Sequence, residues 1–472
     1  MMKATIQLDT KKLGRIKQLN GGCLGPKISS ENAGQNYRKY FADLHLPITR
    51  LHDAPLDNSG LNLVDVPMIF PLFHADANDP ANYNFKATDD YIKACLDCGT
   101  QVYYRLGVSI DHSYKKYVID PPADTQKWIE IVSHIIDHYN HGWADGFYYN
   151  IKYWEIWNEP EGISSAGPGL LSLPTMWLGK IEEYHQFYAD VAKALKARYP
   201  ELKIGGPSNC GWGISDIDHR HAGKEFLQSV HELGAPLDFY SFHIYACSLD
   251  WCAKQFSEIR ATLDLLGFEN TEIHITEWGY CPSDGFARMR ENNGRDAASV
   301  YAEKGSSMAG AFINCALIHW QELPIEQAHH YTVSGGGFGL YDMCSHQPTK
   351  AYYALKAFGE MAFFYPERIA AEIAEFSGEP LPCKTQNREF DFQVIAGEDN
   401  DGNVAVLVSN YRYGAGSIEF DCSKLGYFSR AELQIVDDHY DLEGVATVES
   451  VNGKLTFFTN SNSSILLLRL IK

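Results

Sequence analysis

Two stretches of the chain place an acid where a run of β-favouring residues ends: "IKYWEIWNEP", in which Glu159 stands between Asn158 and Pro160, and "EIHITEWGY", in which Glu277 precedes Trp278. Proline cannot continue a strand ladder, so Pro160 is expected to fix Glu159 at a strand end. Two carboxylates projecting into one cleft can divide the labour of breaking a glycosidic bond. One protonates the departing oxygen, and the other attacks the anomeric carbon or activates water. Acids at strand ends also cap helices or pair with arginine, so the two residues alone leave both readings open.

The elements around them must bring the acids together. Apolar runs alternate with amphipathic helices along the first three quarters of the chain. The expected strands are "KQLNGGCLG", "ITRLHD", "QVYYRLG", "KYWEIWNE", "LKIGGPS", "LDFYSFHIYA", "EIHITEWGY" and "CALIHWQE". Among the helices, "ADTQKWIEIVSHIIDHYNHG" sets Trp128, Val132, Ile135, Ile136 and Tyr139 on one face and closes at Gly142. Repeated strand–helix–strand units imply right-handed crossovers and a parallel sheet, and eight units fit an α/β fold of the (β/α)8 TIM-barrel type. An open doubly wound sheet competes less well, because "NGGCLGPK" lacks the glycine spacing and following helix of a nucleotide loop. In a barrel, Glu159 would end strand four and Glu277 strand seven, across the mouth from each other at the catalytic rim.

The pattern changes near Phe363. Period-two alternation takes over, and "DNDGN" and "VNGKL" supply hairpin turns. This predicts a barrel over residues 14–362 and an accessory antiparallel β-sandwich over 363–472, joined by a strand from residues 1–13.

Composition narrows the partners. The chain has 472 residues, 45% hydrophobic and 21% charged, with a net charge of −20 and no basic run, which argues against nucleic acid and anionic membrane surfaces. No stretch of 18 apolar residues and no signal-peptide core occur, and the 11 scattered cysteines suit a reducing compartment, so a cytoplasmic location is expected. Cys95-x-x-Cys98 reads as a buried helix face, with Thr88 as N-cap and Gly99 as stop, and not as a redox pair. His219, His221, His329 and His330 lack ligand spacing and read as solvated loop histidines. No metal or other cofactor is expected. No nucleophile elbow or phosphate loop is present. The sequence leaves homo-oligomer formation open.

"WNEP" after a fourth strand and "TEWG" after a seventh resemble the acid/base and nucleophile signatures of the retaining barrel glycosidases of clan A. Together with "LKIGGPS", "LDFYSFHIY", "HITEWGY" and "GGGFGLYDMCSHQPTKAYYALKAFGEM" in the same order, they resemble glycoside hydrolase family 39, which holds β-xylosidases and α-L-iduronidases. The resemblance spans roughly Leu19 to Met361. It implies Glu159 as general acid/base and Glu277 as nucleophile, with Arg50 keeping the nucleophile ionised and Asn158 donating to the sugar 2-hydroxyl. It also implies His243 and Tyr245 beside the nucleophile and Trp320, read as the end of strand eight, as the floor of the sugar site. Gln321 and Glu322 would follow at the rim, and His52 and Asp53 occupy the corresponding place after strand two, where they could equally cap a helix. Trp278 is wall or core.

The chain departs from the family pattern in "HIYACSLDWC", which is more apolar and aromatic than the polar stretch usual there. The loops "ACSLDWCAK" and "QELPIEQAHHYTVSGGG" carry only Lys254 as a firm positive charge, which disfavours uronates. The resulting expectation is an exo-acting retaining glycosidase removing a neutral sugar, first xylose, from short oligosaccharides or glycosides. Arabinosidase, β-glucosidase, β-galactosidase and endo-acting activities follow behind, and a non-catalytic carbohydrate-binding barrel is the reading from a different class.

Overall fold

The computed structural model describes residues 1–26, 38–52, 63–110, 118–165, 172–174, 176–213, 220–290, 294–342, 345, 347–381 and 391–472. Eight strands, Gly21–Cys23, Ile48–Leu51, Gln101–Leu106, Tyr153–Ile156, Lys203–Asn209, Phe239–Ala246, Glu272–Tyr280 and Gln327–His330, form a closed barrel in which every neighbouring pair is parallel. Strand six is buried along nearly its whole length and strand seven is buried from Ile273 to Tyr280, as expected where both faces are covered.

Seven strands fall where the sequence places them; the eighth does not. "CALIHW" belongs to the helix Ser307–His319, and Trp320–Glu322 is a single 3-10 turn. The helix reads as a strand because it has almost no polar face. It is wedged between the barrel and the accessory sheet, and every residue from Ser307 to Ile318 except Met308 is buried. The true eighth strand, Gln327–His330, is four residues long and carries His329 and His330, both buried and not solvated in a loop.

The helices close with local chemistry legible in the sequence. Thr125–His141 begins at Asp124, whose side chain accepts from the Lys127 N–H, and ends at Gly142 in the left-handed region. Thr88 differs from expectation. It lies inside the helix Lys86–Asp97, and its hydroxyl bonds the Leu63 carbonyl. Cys95 is buried on that helix, His221 is the N-cap of Ala222–Glu232, and His219 lies outside the described residues.

After the helix Lys350–Phe364, the chain enters a nine-stranded sheet. Met2–Arg15 joins it, pairing antiparallel with Glu367–Ser377 and parallel with Gly416–Asp421, the one parallel pair of an otherwise antiparallel sheet. Alternation shows how the sheet curls. Val404, Val406 and Val408 of Val404–Asn410 face an inner core shared with Ile6, Leu8, Ile418 and Phe420, whereas Ala405 and Leu407 face the core that continues into the barrel helices. Among the described residues, no helix is long and apolar enough to cross a membrane.

Candidate active site

The ends of strands two, four, five, six and seven converge on a polar cluster within an apolar barrel. Past Ile156, strand four leaves regular geometry: Trp157 and Glu159 take φ values of 76° and 44°, and Ser208 at the end of strand five takes 61°. Such left-handed backbone costs side-chain-bearing residues about 1–3 kcal/mol each and needs support from its surroundings. Here the support is visible. The Trp157 N–H donates to the Leu106 carbonyl (2.7 Å), its indole donates to the Met176 carbonyl (2.9 Å), and the Glu159 N–H donates to the Ser208 carbonyl (2.9 Å). Gly107 stands against the Trp157 ring, at φ 133°, where a Cβ would come within 2.9 Å of it.

Arg50 holds the centre. It is fully buried, and its guanidinium donates to Glu155 Oε2 (2.6 Å), Glu277 Oε1 (3.0 Å), Asn158 Oδ1 (2.7 Å) and Ser208 Oγ (2.9 Å). Four bonds from one planar fork match what arginine offers and lysine does not. Because Arg50 engages Asn158 through its carbonyl oxygen, the Asn158 NH2 is left as the donating group.

From Arg50 a hydrogen-bond chain reaches the other acid. Ser208 Oγ lies 2.6 Å from His243 Nε2, and His243 Nδ1 lies 2.6 Å from Glu159 Oε1. With a neutral imidazole protonated on Nδ1, every donor is consistent: Arg50 to Ser208, Ser208 to His243, His243 to Glu159. Burial pushes the His243 pKa down to about 4, which keeps the ring neutral.

Glu277 receives its second oxygen's bond from the Tyr245 hydroxyl, 2.8 Å from Oε2. His52 approaches from the other side, with Nε2 3.8 Å from Oε1. Its Nδ1 accepts from Arg105 Nε (3.1 Å), so Nε2 carries the proton. Arg105 is held in turn by Asp65 and Ser109.

Oxygens of Glu159 and Glu277 and a nitrogen of His243 all lie within 4.8 Å of one another. The two acids have different surroundings. The Glu159 side chain is 18% exposed and has no direct bond to Arg50, and burial raises its pKa to about 7. The Glu277 side chain is 7% exposed; burial raises its pKa too, opposed by the bonded Arg50 guanidinium and the Tyr245 phenol. One acid that protonates near neutrality thus faces one whose upward shift is opposed by a guanidinium and a phenol. The same three groups have the spacing of a cation site, but the Glu277 oxygen toward Arg50 already faces a guanidinium that would repel a divalent ion.

Of the residues singled out from sequence, Arg50, His52, Asn158, Glu159, His243, Tyr245 and Glu277 are brought into one cluster. Trp320, Gln321 and Glu322 are not, because the segment carrying them is not a barrel strand. Trp320 is core, packed on Trp278 (4.7 Å between ring centroids) and Phe256 (5.3 Å). Gln321 ties the chain before strand one, accepting from the Lys17 N–H (2.7 Å) and donating to the Lys17 carbonyl (3.1 Å). Glu322 is 69% exposed and pairs with Arg368 of the accessory sheet. Trp278 alternates away from Glu277 and packs on Trp320 and His330 as core. Asp53 lies outside the described residues.

Sequence reasoning passed over Glu155, Ser208, Glu161, Tyr331 and Lys304. Glu155 had a signal: an acid in the middle of an apolar strand, in register with Arg105 of strand three. Glu161 accepts from the Cys210 N–H (2.7 Å), and burial lifts its pKa to about 7. Tyr331 follows the true strand eight, packing against Tyr245 (6.4 Å) and Phe338 (5.9 Å). Lys304 is a buried ammonium 4.2 Å from the Phe338 ring centroid and 5.4 Å from that of Tyr245, donating to the Tyr280 carbonyl (2.7 Å).

The pattern defined by Glycosyl hydrolases family 39 matches residues 57–372, two thirds of the chain. The chain belongs to this family. A β-xylosidase of Geobacillus stearothermophilus is 24% identical over 318 residues, which cover 59% of this chain and 56% of that protein, so the match spans little more than half the relative's length. Among solved structures, a glucosidase from Croceicoccus marinus superposes with a TM-score of 0.74 at 19% identity, covering 99% of both chains. A monomeric β-xylosidase from Caulobacter crescentus gives a TM-score of 0.68 at 14% identity, again over 99% of both. These likenesses establish a shared fold of barrel and accessory sheet.

Proposed function

We propose that this family 39 member is a retaining exo-glycosidase that removes a neutral sugar, first a β-xylosyl residue, from short oligosaccharides or glycosides. The observation that carries the mechanism is the approach of Glu159 and Glu277 oxygens to within 4.8 Å. Retaining pairs stand about 5–5.5 Å apart and inverting pairs about 6.5–9.5 Å, the wider gap making room for water. The xylosyl preference and the exo mode rest on the β-xylosidase relative.

In the first step a Glu277 carboxylate oxygen bonds to the anomeric carbon, the carbon–oxygen bond to the leaving group breaks, and the Glu159 proton passes to that oxygen. Glu159 suits this role because its pKa of about 7 leaves it protonated in much of the free enzyme near neutrality. Neutralisation of Glu277 then removes a nearby negative charge, Glu159 gives up its proton more readily, and it becomes the base for water. Water bonds to the anomeric carbon, its proton goes to Glu159, and the Glu277 ester breaks. The Asn158 NH2 is the donor suited to the sugar 2-hydroxyl, a contact that strengthens as the ring gains oxocarbenium character.

The test is hydrolysis of 4-nitrophenyl β-xyloside, α-L-arabinosides, β-glucoside, β-galactoside and α-L-iduronide by the wild-type chain and by Glu277→Ala. The expected result is strong preference for the β-xyloside, lost in the variant. Preference for another sugar would replace the substrate, and activity surviving in Glu277→Ala would overturn the nucleophile.

A further inference from the structure

Beside the carboxylate pair, a cavity of ≈ 720 Å³ opens between the loops that follow strands six and seven. It begins at Tyr245, the residue whose hydroxyl bonds Glu277, and continues along Ala246, Cys247 and Trp251 on one side and Cys281, Pro282 and Phe286 on the other. The volume is that of a small-molecule site. Its walls are fixed. The Cys281 N–H donates to the Ala246 carbonyl (3.0 Å), joining the two loops, and the Tyr411 hydroxyl of the accessory sheet donates to the Cys247 carbonyl (3.2 Å) from behind. Phe286 meets the Tyr245 ring edge-on at 5.7 Å, so the cavity is continuous with the ring that touches the nucleophile. Two large aromatic side chains face solvent at its mouth, Trp251 at 45% and Phe286 at 39% exposure.

The polar inventory is poor. Among the described lining residues, Asp250 is the one charged group; the hydroxyls are those of Ser283, of Tyr245, which donates to Glu277, and of Ser248, which already caps its helix by accepting from the Trp251 N–H (3.3 Å). A second sugar ring would bury several hydroxyls against walls with few partners for them, which is unfavourable. An apolar ring system asks only for surface, and exposed aromatic faces supply it. Asp250 disfavours an anionic group. The direction is set by the acid: Glu159 must face the glycosidic oxygen, it is held by His243 of strand six, and the cavity continues from that strand. Arg50, His52 and Asn158 stand at the ends of strands two and four and do not line the cavity.

We propose that this cavity is an aglycone subsite for a neutral, apolar, ring-bearing group, as in an aryl or polycyclic glycoside; the assignment rests on the glycosidase reading above. Because Trp251 and Phe286 are half-exposed, truncating them leaves the folded core intact. The first arm is fluorescence titration of 4-methylumbelliferone into the full chain, Trp251→Ala and Phe286→Ala. Saturable binding weakened about tenfold in each variant is expected; no binding, or equal binding by all three, overturns the proposal. The second arm compares 4-methylumbelliferyl β-xyloside, xylobiose and β-xylosyl fluoride, which has no organic leaving group. The variants should lose about tenfold in kcat/KM on the umbelliferyl substrate, through KM, and stay within twofold on the fluoride. Equal loss on both, or a larger loss on xylobiose, overturns it. If the wild type turns over none of the three while umbelliferone binding remains variant-sensitive, the xylosidase reading falls and the apolar cavity stands.

Discussion

Replacing Tyr245 with Phe removes one oxygen and one of the two direct hydrogen bonds that Glu277 accepts in the described structure. The ring keeps its contacts with Tyr331, Phe286 and Phe338, so little folding stability should be lost. A hydrogen bond to an ionised group is worth about 1.5–3 kcal/mol. That bond exists fully when Glu277 is a carboxylate and weakly when it is an ester. On the proposed double displacement, the step that regenerates the carboxylate therefore suffers most. A loss of about 1.5–3 kcal/mol corresponds to roughly a 10- to 100-fold fall in deglycosylation. Stopped-flow measurement with an activated aryl xyloside should show a burst of aryl alcohol followed by a slow steady state, with kcat and KM falling together. The acid limb of kcat/KM should also move to higher pH, because the phenol opposes the burial that raises the Glu277 pKa. A raised KM with no burst and an unmoved acid limb would refute the reasoning.

Other consequences can be measured independently. Glu159→Gln should abolish an alkaline limb near pH 7, slow substrates with poor leaving groups by about 10²–10⁴ and spare activated ones; a limb that persists would point to Glu161, whose carboxyl is raised to the same range. The same variant should raise the thermal midpoint at pH 8 but not at pH 4. A carboxyl whose folded pKa is about 7 destabilises the fold increasingly as pH rises from its unfolded value of about 4.5, up to about 3 kcal/mol. Arg50→Lys should cut kcat/KM by at least about 100-fold, since a lysine cannot reproduce four bonds from one fork, and near-wild-type kinetics would contradict the central role of Arg50. Glu322→Ala should leave kcat and KM within twofold and change stability by under about 1 kcal/mol, as befits an exposed carboxylate paired with Arg368 of the accessory sheet. Prolonged dialysis against EDTA should leave activity unchanged; a loss restored by one divalent ion would place a metal at the carboxylate–histidine cluster.

The strands that carry the two acids were legible because each is a β-favouring run ended by a distinctive polar group, and the same holds for Arg50 in "ITRLHD" and His243 and Tyr245 in "SFHIYA". What failed was strand eight. A helix covered on both sides carries no amphipathic stripe, so residues 315–322 imitated a strand and drew Trp320, Gln321 and Glu322 into the wrong place, while four residues with two histidines imitated a loop. Ser208 was invisible for a different reason. A serine after "IGGP" acquires meaning only once barrel closure sets it between Arg50 and His243, which lie 158 and 35 residues away. The apolar character of "HIYACSLDWC" was readable, but that it walls a cavity with residues after strand seven follows only from the fold.

The most direct test of the account is covalent trapping. The wild-type chain incubated with a 2-deoxy-2-fluoro-β-xylosyl donor bearing a dinitrophenyl leaving group should inactivate with time and gain the mass of one fluoroxylosyl group, which peptide mass spectrometry should locate on Glu277. Label on Glu159 or another residue, or turnover of aryl β-xylosides with inverted product and no trapped species, would contradict it.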